Sequence, residues 1–410
     1  MNREMTKQSL FCWQVCLLVV LVIAGYTSPI TLNGQTRPIR DDLAQLRNFE
    51  LRPRAVLAGH KKRDITFVFS PDGLTLATGA DESAARLWDL RTGMTRAYLP
   101  GHRYVSALHF SPDGRTLETE SSERTIRLWD VQTGILKATV VESHDFVNAS
   151  ISPDGQTLAT ANMTDLLVRL WDIDTGRLKG SLSHPKRYWR RQELSIGNGA
   201  QVIFDPNGRI IATEADRTLY LWDAKTLNLL TTLIDPSESL SVGPLGLWTV
   251  KGFSHGDTIY QMTFSPSGEF LATGSRDFTA KLWDVANQRL ESTLKHDGKV
   301  STLAFSRDGR VLATGSEDRT AKLWDTSTGQ LLASLPHKGT VWSIDFSPDS
   351  KFVATAADND HSVKLWDVGT GKLLDELNSA RGPVAFSPDG RTLATASEDA
   401  AVLLWDMPPK

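Results

Sequence analysis

The dipeptide Trp-Asp occurs eight times in this chain, at Trp88, Trp129, Trp171, Trp222, Trp283, Trp324, Trp366 and Trp405. The successive intervals are 41, 42, 51, 61, 41, 42 and 39 residues. A period near 40 residues means that one supersecondary unit is copied along the chain. The other signals keep a constant order in each copy. A β-rich run ends in a turn, SPDG at Ser70, Ser111, Ser152 and Ser387, DPNG at Asp205, SPSG at Ser265, SRDG at Ser306 and SPDS at Ser347. A short apolar run follows, such as LATGS at Leu271 and Leu312, then an acidic turn and a run such as AKLWD at Ala280 and Ala321. A further turn leads to a fourth run such as QLLASL at Gln330.

Each copy therefore reads as four short strands. Proline presets φ at the second turn position, aspartate bonds its own backbone, and glycine supplies positive φ. The runs are rich in Val, Leu, Thr and Phe and too short for helices. One four-stranded antiparallel sheet cannot bury both of its faces. Sheets stacked around an axis can, and closing the ring leaves only short edges.

These copies resemble the WD-repeat β-propeller family over residues 52–406. The resemblance implies an all-β fold and, in each blade, a chain of bonds joining a His ahead of the first strand, a Thr in the second, an acid in the following turn and the Trp of the third. The Thr is present throughout, as Thr78, Thr119, Thr160, Thr213, Thr273, Thr314, Thr355 and Thr395. The acid six residues before the Trp is Glu82, Glu123, Asp165, Asp216, Asp277, Asp318, Asp360 or Asp399. The His is His60, His102, His144, His184, His255, His296 or His337, and the eighth copy has none. On that pattern four copies carry complete sets. They are His144, Thr160, Asp165 and Trp171; His255, Thr273, Asp277 and Trp283; His296, Thr314, Asp318 and Trp324; and His337, Thr355, Asp360 and Trp366. In copy 4 an insertion separates His184 from its strand, which leaves its part in a set open. A His/Asp pair repeated around a ring is architecture, because a buried indole N–H needs an acceptor and a buried acid needs a donor.

After Trp405 only DMPPK remains, so the last copy lacks a fourth strand of its own. Ahead of the first copy, RAVLAGH at Arg54–His60 matches LLASLPH at Leu331–His337. That extra strand completes the count of an eight-bladed propeller in which the N-terminal strand closes the last blade. Seven blades plus an extra repeat is the alternative.

Ahead of the repeats, Leu10–Gly25 is apolar except for Gln14, and Arg3 and Lys7 precede it. Sixteen residues of helix span roughly 24 Å, short of the ~30 Å hydrocarbon core. Residues 1–25 read as a signal peptide or, extended to Ile30, a signal anchor, the membrane being met only through an uncleaved segment. Residues 26–51, with Pro29, Gly34 and Pro38, read as a linker, and 407–410 as a tail. The only cysteines, Cys12 and Cys16, lie in the apolar run. The expectation is an exported, extracytoplasmic and membrane-tethered or secreted propeller.

Function is sought where the copies differ. Two long intervals flank copy 4, Pro185–Gln201 and Ile234–Ser254. They carry Arg187, Tyr188, Trp189, Arg190, Arg191, Trp248 and Phe253, the aromatic and arginine types preferred at binding hot spots. These are the candidate partner-binding residues, although the same loops could instead pack on each other as a cap. No catalytic residues, metal ligands or cofactor are assigned, since H-E-x-x-H, G-x-S-x-G, P-loop and dinucleotide motifs are missing. The innermost strands show no converging acids and histidines. A net charge of −3 and pI near 6.3 give no case for nucleic acid. The reading is a non-enzymatic, monomeric scaffold that binds a protein or peptide on the face bearing the long loops. The alternative is an extracytoplasmic enzyme or small-ligand binder using the central channel.

Overall fold

The computed structural model describes residues 51–407 except 62–64, 81–83, 103, 122–124, 143–145, 163–166, 186–199 and 243–247. Within them the chain forms eight four-stranded antiparallel sheets and one separate two-stranded hairpin. Strands are named a to d from the axis outward. Blade 1 runs Thr66–Phe69, Thr75–Gly79, Ala84–Asp89 and Met94–Pro100, and blades 2 to 7 repeat this order. Blade 8 takes strands a to c from Ala380–Phe386, Thr392–Ser397 and Ala401–Asp406. Its strand d is Pro53–Ala58, in register through Ala55 with Leu404, Leu57 with Val402 and Ala58 with Ala401. The ring therefore closes with eight blades, and both chain ends of the wheel are paired into one sheet. Leu51 adds a further tie, its backbone N–H donating to the Asp375 carboxylate of blade 7 at 2.8 Å.

Strand c shows why the ring is stable. Its side chains alternate, so Trp88 enters the space towards blade 8 while Leu87 enters the space towards blade 2. One apolar cluster fills each of the eight spaces between blades. Strand a side chains stitch the inner rims: Gln201 accepts from the Met262 amide, Gln261 from Leu303 and Asp345 from Phe386. The second long interval, read above without strands, contains the hairpin Ser239–Val242 and Trp248–Lys251.

All eight Trp indoles donate to the strand b Thr of their own blade, at 2.7–3.0 Å. In blades 5, 6 and 7 the chain continues through His. His255 lies 2.7 Å from Thr273 and 2.8 Å from Asp277, His296 is 2.7 Å from both Thr314 and Asp318, and His337 is 3.0 Å from Thr355 and 2.5 Å from Asp360. A single direction satisfies every group. Trp donates to Thr, Thr donates to His Nε2, and His Nδ1–H donates to the carboxylate. Burial lowers the pKa of all three imidazoles, against the pull of the facing acids, so the rings are neutral donors. His184 also reaches its Thr, at 2.8 Å from Thr213, despite the insertion behind it.

Blade 3 departs from the expected set. The hydroxyl of Thr160 donates to Glu142, which also takes Arg169 at 3.1 Å. Glu142 precedes Thr160 by 18 residues, the same offset that joins His255 to Thr273. The position filled by His in blades 1, 2, 4, 5, 6 and 7 is thus held here by Glu142, and a carboxylate needs the Arg169 counter-charge that neutral histidine does not. His144 and Asp165 lie outside the described residues, as do Glu82 and Glu123.

The strand b residues flanking the Thr face the next blade and are small because its strand a comes close. A Cβ on Gly79 would stand 2.4 Å from Val105. Carboxylates enter these flanking positions only at Glu118, Glu120 and Glu214. Burial pushes Glu214 up to about 8, against the Arg217 amide that bonds its other oxygen at 2.9 Å. An unfolded chain ionises this group near pH 4.3 while the folded one still holds the proton, so stability falls as pH rises from about 4.3 to about 8. Glu214→Gln keeps the acceptor for Arg217 and removes the ionisation. Its unfolding free energy from urea titration is expected to match the parent at pH 4 and to exceed it at pH 8, by on the order of 2–4 kcal/mol. Equal midpoints at both pH values would contradict the buried-acid account.

Candidate functional site

Loops joining strand d to the next strand a, and turns joining b to c, lie on one face of the wheel, where His255 meets Asp277. On this face Trp342, at the start of strand a of blade 7, breaks the rule for tryptophan. It is 39% exposed, whereas Trp283 is fully buried. The physical reason is its place in a bulge. Val341 pairs with Ala357 and Ser343 with Ala356, leaving Trp342 outside the ladder. Its ring lies over blade 8, and a Cβ on Gly382 would come within 2.8 Å of its indole, so only glycine permits this approach.

Two adjoining recesses share Trp342, Arg381 and Gly382. The first also has Tyr104, Ser106 and Pro383, and the second Asp358, Asn359 and His361. Each encloses about 290 Å³, which suits single side chains of an extended segment better than a cofactor. Arg381 brings a cation beside the aromatic wall, and His361, 76% exposed, stands 3.4 Å from Glu398. An indole face, a guanidinium and flanking polar groups can hold an apolar side chain next to a carboxylate.

The candidate residues of the first long interval, Arg187, Tyr188, Trp189, Arg190 and Arg191, lie outside the described residues. Trp248 lies in the second strand of the hairpin, opposite Val242. Phe253 does not serve as a docking residue. It is 2% exposed, with the Arg217 guanidinium 4.6 Å from its ring centroid. An apolar ring so covered presents nothing to a partner. The interval is instead fastened inward by Lys281, which is 1% exposed and bonds Asp235 and Glu238, each at 2.7 Å.

The reading of the inner strands also needs correction. His109 in strand a of blade 2 lies 3.0 Å from Glu118, and Glu120 joins the same cluster. The visible clue is LETES at Leu117, where other copies read LATGS. Trp342 and Tyr104 were missed for another reason. Nothing in TVWSIDF distinguishes a bulged, outward residue from a regular strand position.

The family model described as WD domain, G-beta repeat matches residues 51–89, 93–130, 136–172, 198–223, 248–284, 288–325, 329–367 and 382–406. The chain belongs to the WD40 family. Among solved WD40 structures, the C-terminal WD40 domain of Sif2 superposes with a TM-score of 0.70 at 18% identity, covering 88% of this chain and 99% of that one. The computationally designed Ika8 protein superposes at 0.66 with 22% identity, over 87% of this chain and all of that one. These likenesses show the fold alone. Ribosome biogenesis protein ERB1 of Debaryomyces hansenii is 44% identical over 48 residues, 12% of this chain and 6% of that protein. A chromatin assembly factor 1 subunit of Schizosaccharomyces pombe is 36% identical over 92 residues, 22% and 18% of the two. Protein Notchless of Drosophila melanogaster is 32% identical over 75 residues, 18% and 15%. The chain thus spans less than a fifth of each of these WD40 relatives.

The expected extracytoplasmic location is overturned by these relatives. The names of the first two are those of a ribosome biogenesis protein and a chromatin assembly factor, which act in processes of the cell interior. Among the described residues no helix is long and apolar enough to cross a membrane. The signal segment read at residues 1–25 lies outside the described residues. What the WD40 match supports is an interaction module of WD repeats.

Proposed function

We propose that this WD40 protein is a non-enzymatic scaffold whose exposed loop face binds an extended segment of a protein partner. Trp342 carries the reading, as an indole held outward beside Arg381 at a channel mouth where other repeat tryptophans are buried. Exposed tryptophan and arginine in a shallow recess are the residue types that dominate binding energy. The segment that fits presents an apolar or aromatic side chain to Trp342 and an acidic one to Arg381. In an eight-blade ring, blade 8 stands opposite blade 4, the blade that the two long intervals flank in sequence. Arg187, Tyr188, Trp189, Arg190, Arg191 and Trp248 are proposed as an outer contact zone for the same partner. Protein rather than nucleic acid is the proposed ligand, given the net charge of −3.

Peptide display on the folded chain, with each selected peptide re-measured against Trp342→Ala and Arg381→Glu, tests this. Enriched peptides are expected to pair an aromatic or apolar residue with Asp or Glu, and each variant to weaken binding about tenfold or more. Both variants lie at the surface and are expected to melt with the parent. Peptides that bind the parent and both variants equally would refute the site.

A further inference from the structure

The space between blades 2 and 3 is built differently from the others. Among the described residues its apolar cluster is small, with Ile126, Leu128, Val140, Ala149, Leu158 and Ile173 as its buried members. Inward of these residues, towards the channel, three departures from the repeat coincide. His109 stands where blades 1, 3 and 6 have Val68, Ser150 and Ala304. Glu118 and Glu120 flank Thr119 where blades 5 and 6 have Ala272 with Gly274, and Ala313 with Gly315. Strand pairing sets His109 opposite Glu118, and period-two alternation puts Glu120 on the same face.

Glu118 is fully buried and Glu120 is 5% exposed, yet one oxygen of each, Oε1, has no hydrogen-bond partner. Two unpartnered carboxylate oxygens in one dry seam are costly, and a missing ligand explains them. Donor atoms of all three residues lie within 4.8 Å of one another. Ligands bound at about 2.0–2.2 Å sit roughly 3–4 Å apart, so side-chain adjustments of under about 1 Å close the set. The histidine is enclosed by the wheel while 46% of its side chain still meets channel water. That leaves an entry path and room for water to complete the coordination shell.

We propose that His109, Glu118 and Glu120 form a binding site for a divalent transition-metal cation of the Zn²⁺ class, entered from the central channel. One imidazole nitrogen with carboxylate oxygens suits Zn²⁺ or Co²⁺, whereas Ca²⁺ and Mg²⁺ prefer all-oxygen shells. Bound there, the cation neutralises the acid pair and cross-links strands a and b beside the seam. The proposal is independent of the docking face, since these residues lie on the channel wall.

The test uses the full chain stripped with EDTA, titrated with ZnCl₂ by calorimetry and with CoCl₂ by visible absorption. One equivalent is expected to bind at micromolar affinity or better and to raise the melting temperature. His109→Gln and the double variant E118A/E120G are each expected to weaken binding at least tenfold. The double variant rebuilds the Ala-Thr-Gly of blades 5 and 6, so in metal-free buffer it is expected to melt at or above the parent. That control separates loss of ligands from loss of fold. Absence of stoichiometric binding would leave a proton-sharing acid pair and overturn the proposal. So would binding kept within threefold in both variants, or a preference for Ca²⁺ or Mg²⁺ over Zn²⁺ and Co²⁺.

Discussion

Removing residues 52–58 is expected to lower the melting temperature by more than 10 °C and to broaden the transition. The segment contributes the outer strand of blade 8, and its Leu57 is 1% exposed among Val402, Leu404, Phe67 and Trp88. Losing that burial costs about 2–3 kcal/mol, and each forfeited ladder bond adds about 1 kcal/mol. Strand Ala401–Asp406 would become an unpaired edge, open to association with other chains. Against a total stability of roughly 5–15 kcal/mol, such a loss is large. Calorimetry of the truncated chain checks it, and a synthetic peptide of residues 51–60 should restore part of the transition. A truncated chain melting within about 2 °C of the parent would mean that the ring does not depend on this closure.

The second large effect is expected from Lys281→Met. This side chain is 1% exposed and is held by Asp235, Glu238 and the Ser254 carbonyl, at 2.7, 2.7 and 3.0 Å. Methionine fills the space but leaves Asp235, itself 5% exposed, without its cation. Breaking one side of a buried pair costs about 3–5 kcal/mol. The pH dependence gives a second readout. Burial raises the Asp235 pKa, but bonds from Lys281 and Ser237 outweigh it and hold the group below its ordinary range. Its stabilisation is present above the free carboxylate pKa and fades as pH falls through the depressed value. In the variant the acid protonates more readily, so the gap between parent and variant should narrow from pH 7 to pH 4. Adding Asp235→Asn and Glu238→Gln should recover most of the loss. Equal urea midpoints for parent and single variant at pH 7 would show that the pair is not structural.

Much of this molecule is legible from residue order. Trp324, Thr314 and Asp318 recur at offsets shared with other copies, and repetition turns a weak local signal into a strong one. The fourth-strand match of Arg54–His60 to Leu331–His337 located the closing strand because strand d has the same pattern in every blade. Where a residue acts once, that support is lost. Glu142 took the histidine position of blade 3 while His144, two residues on, carried the expected residue type. Phe253 has the composition of a docking residue, but its neighbour Arg217 comes from 36 positions earlier in the chain. The inner strands read as free of converging acids and histidines because the acids that face His109 belong to another strand.

The linear pattern thus reveals most of the wheel: eight copies and their strand order follow from spacing, since one geometry is imposed eight times, while the Thr partner of each indole was implied by the family resemblance and the closure at eight blades was decided by the pairing of Pro53–Ala58 with Ala401–Asp406. Which side chains stay dry and which reach solvent is settled by packing between blades. A bulge turns Trp342 outward, a glycine lets it rest on blade 8, and a widened seam admits Glu118 and Glu120. Those outcomes depend on how closely neighbouring sheets approach, and that distance is not written in any one copy.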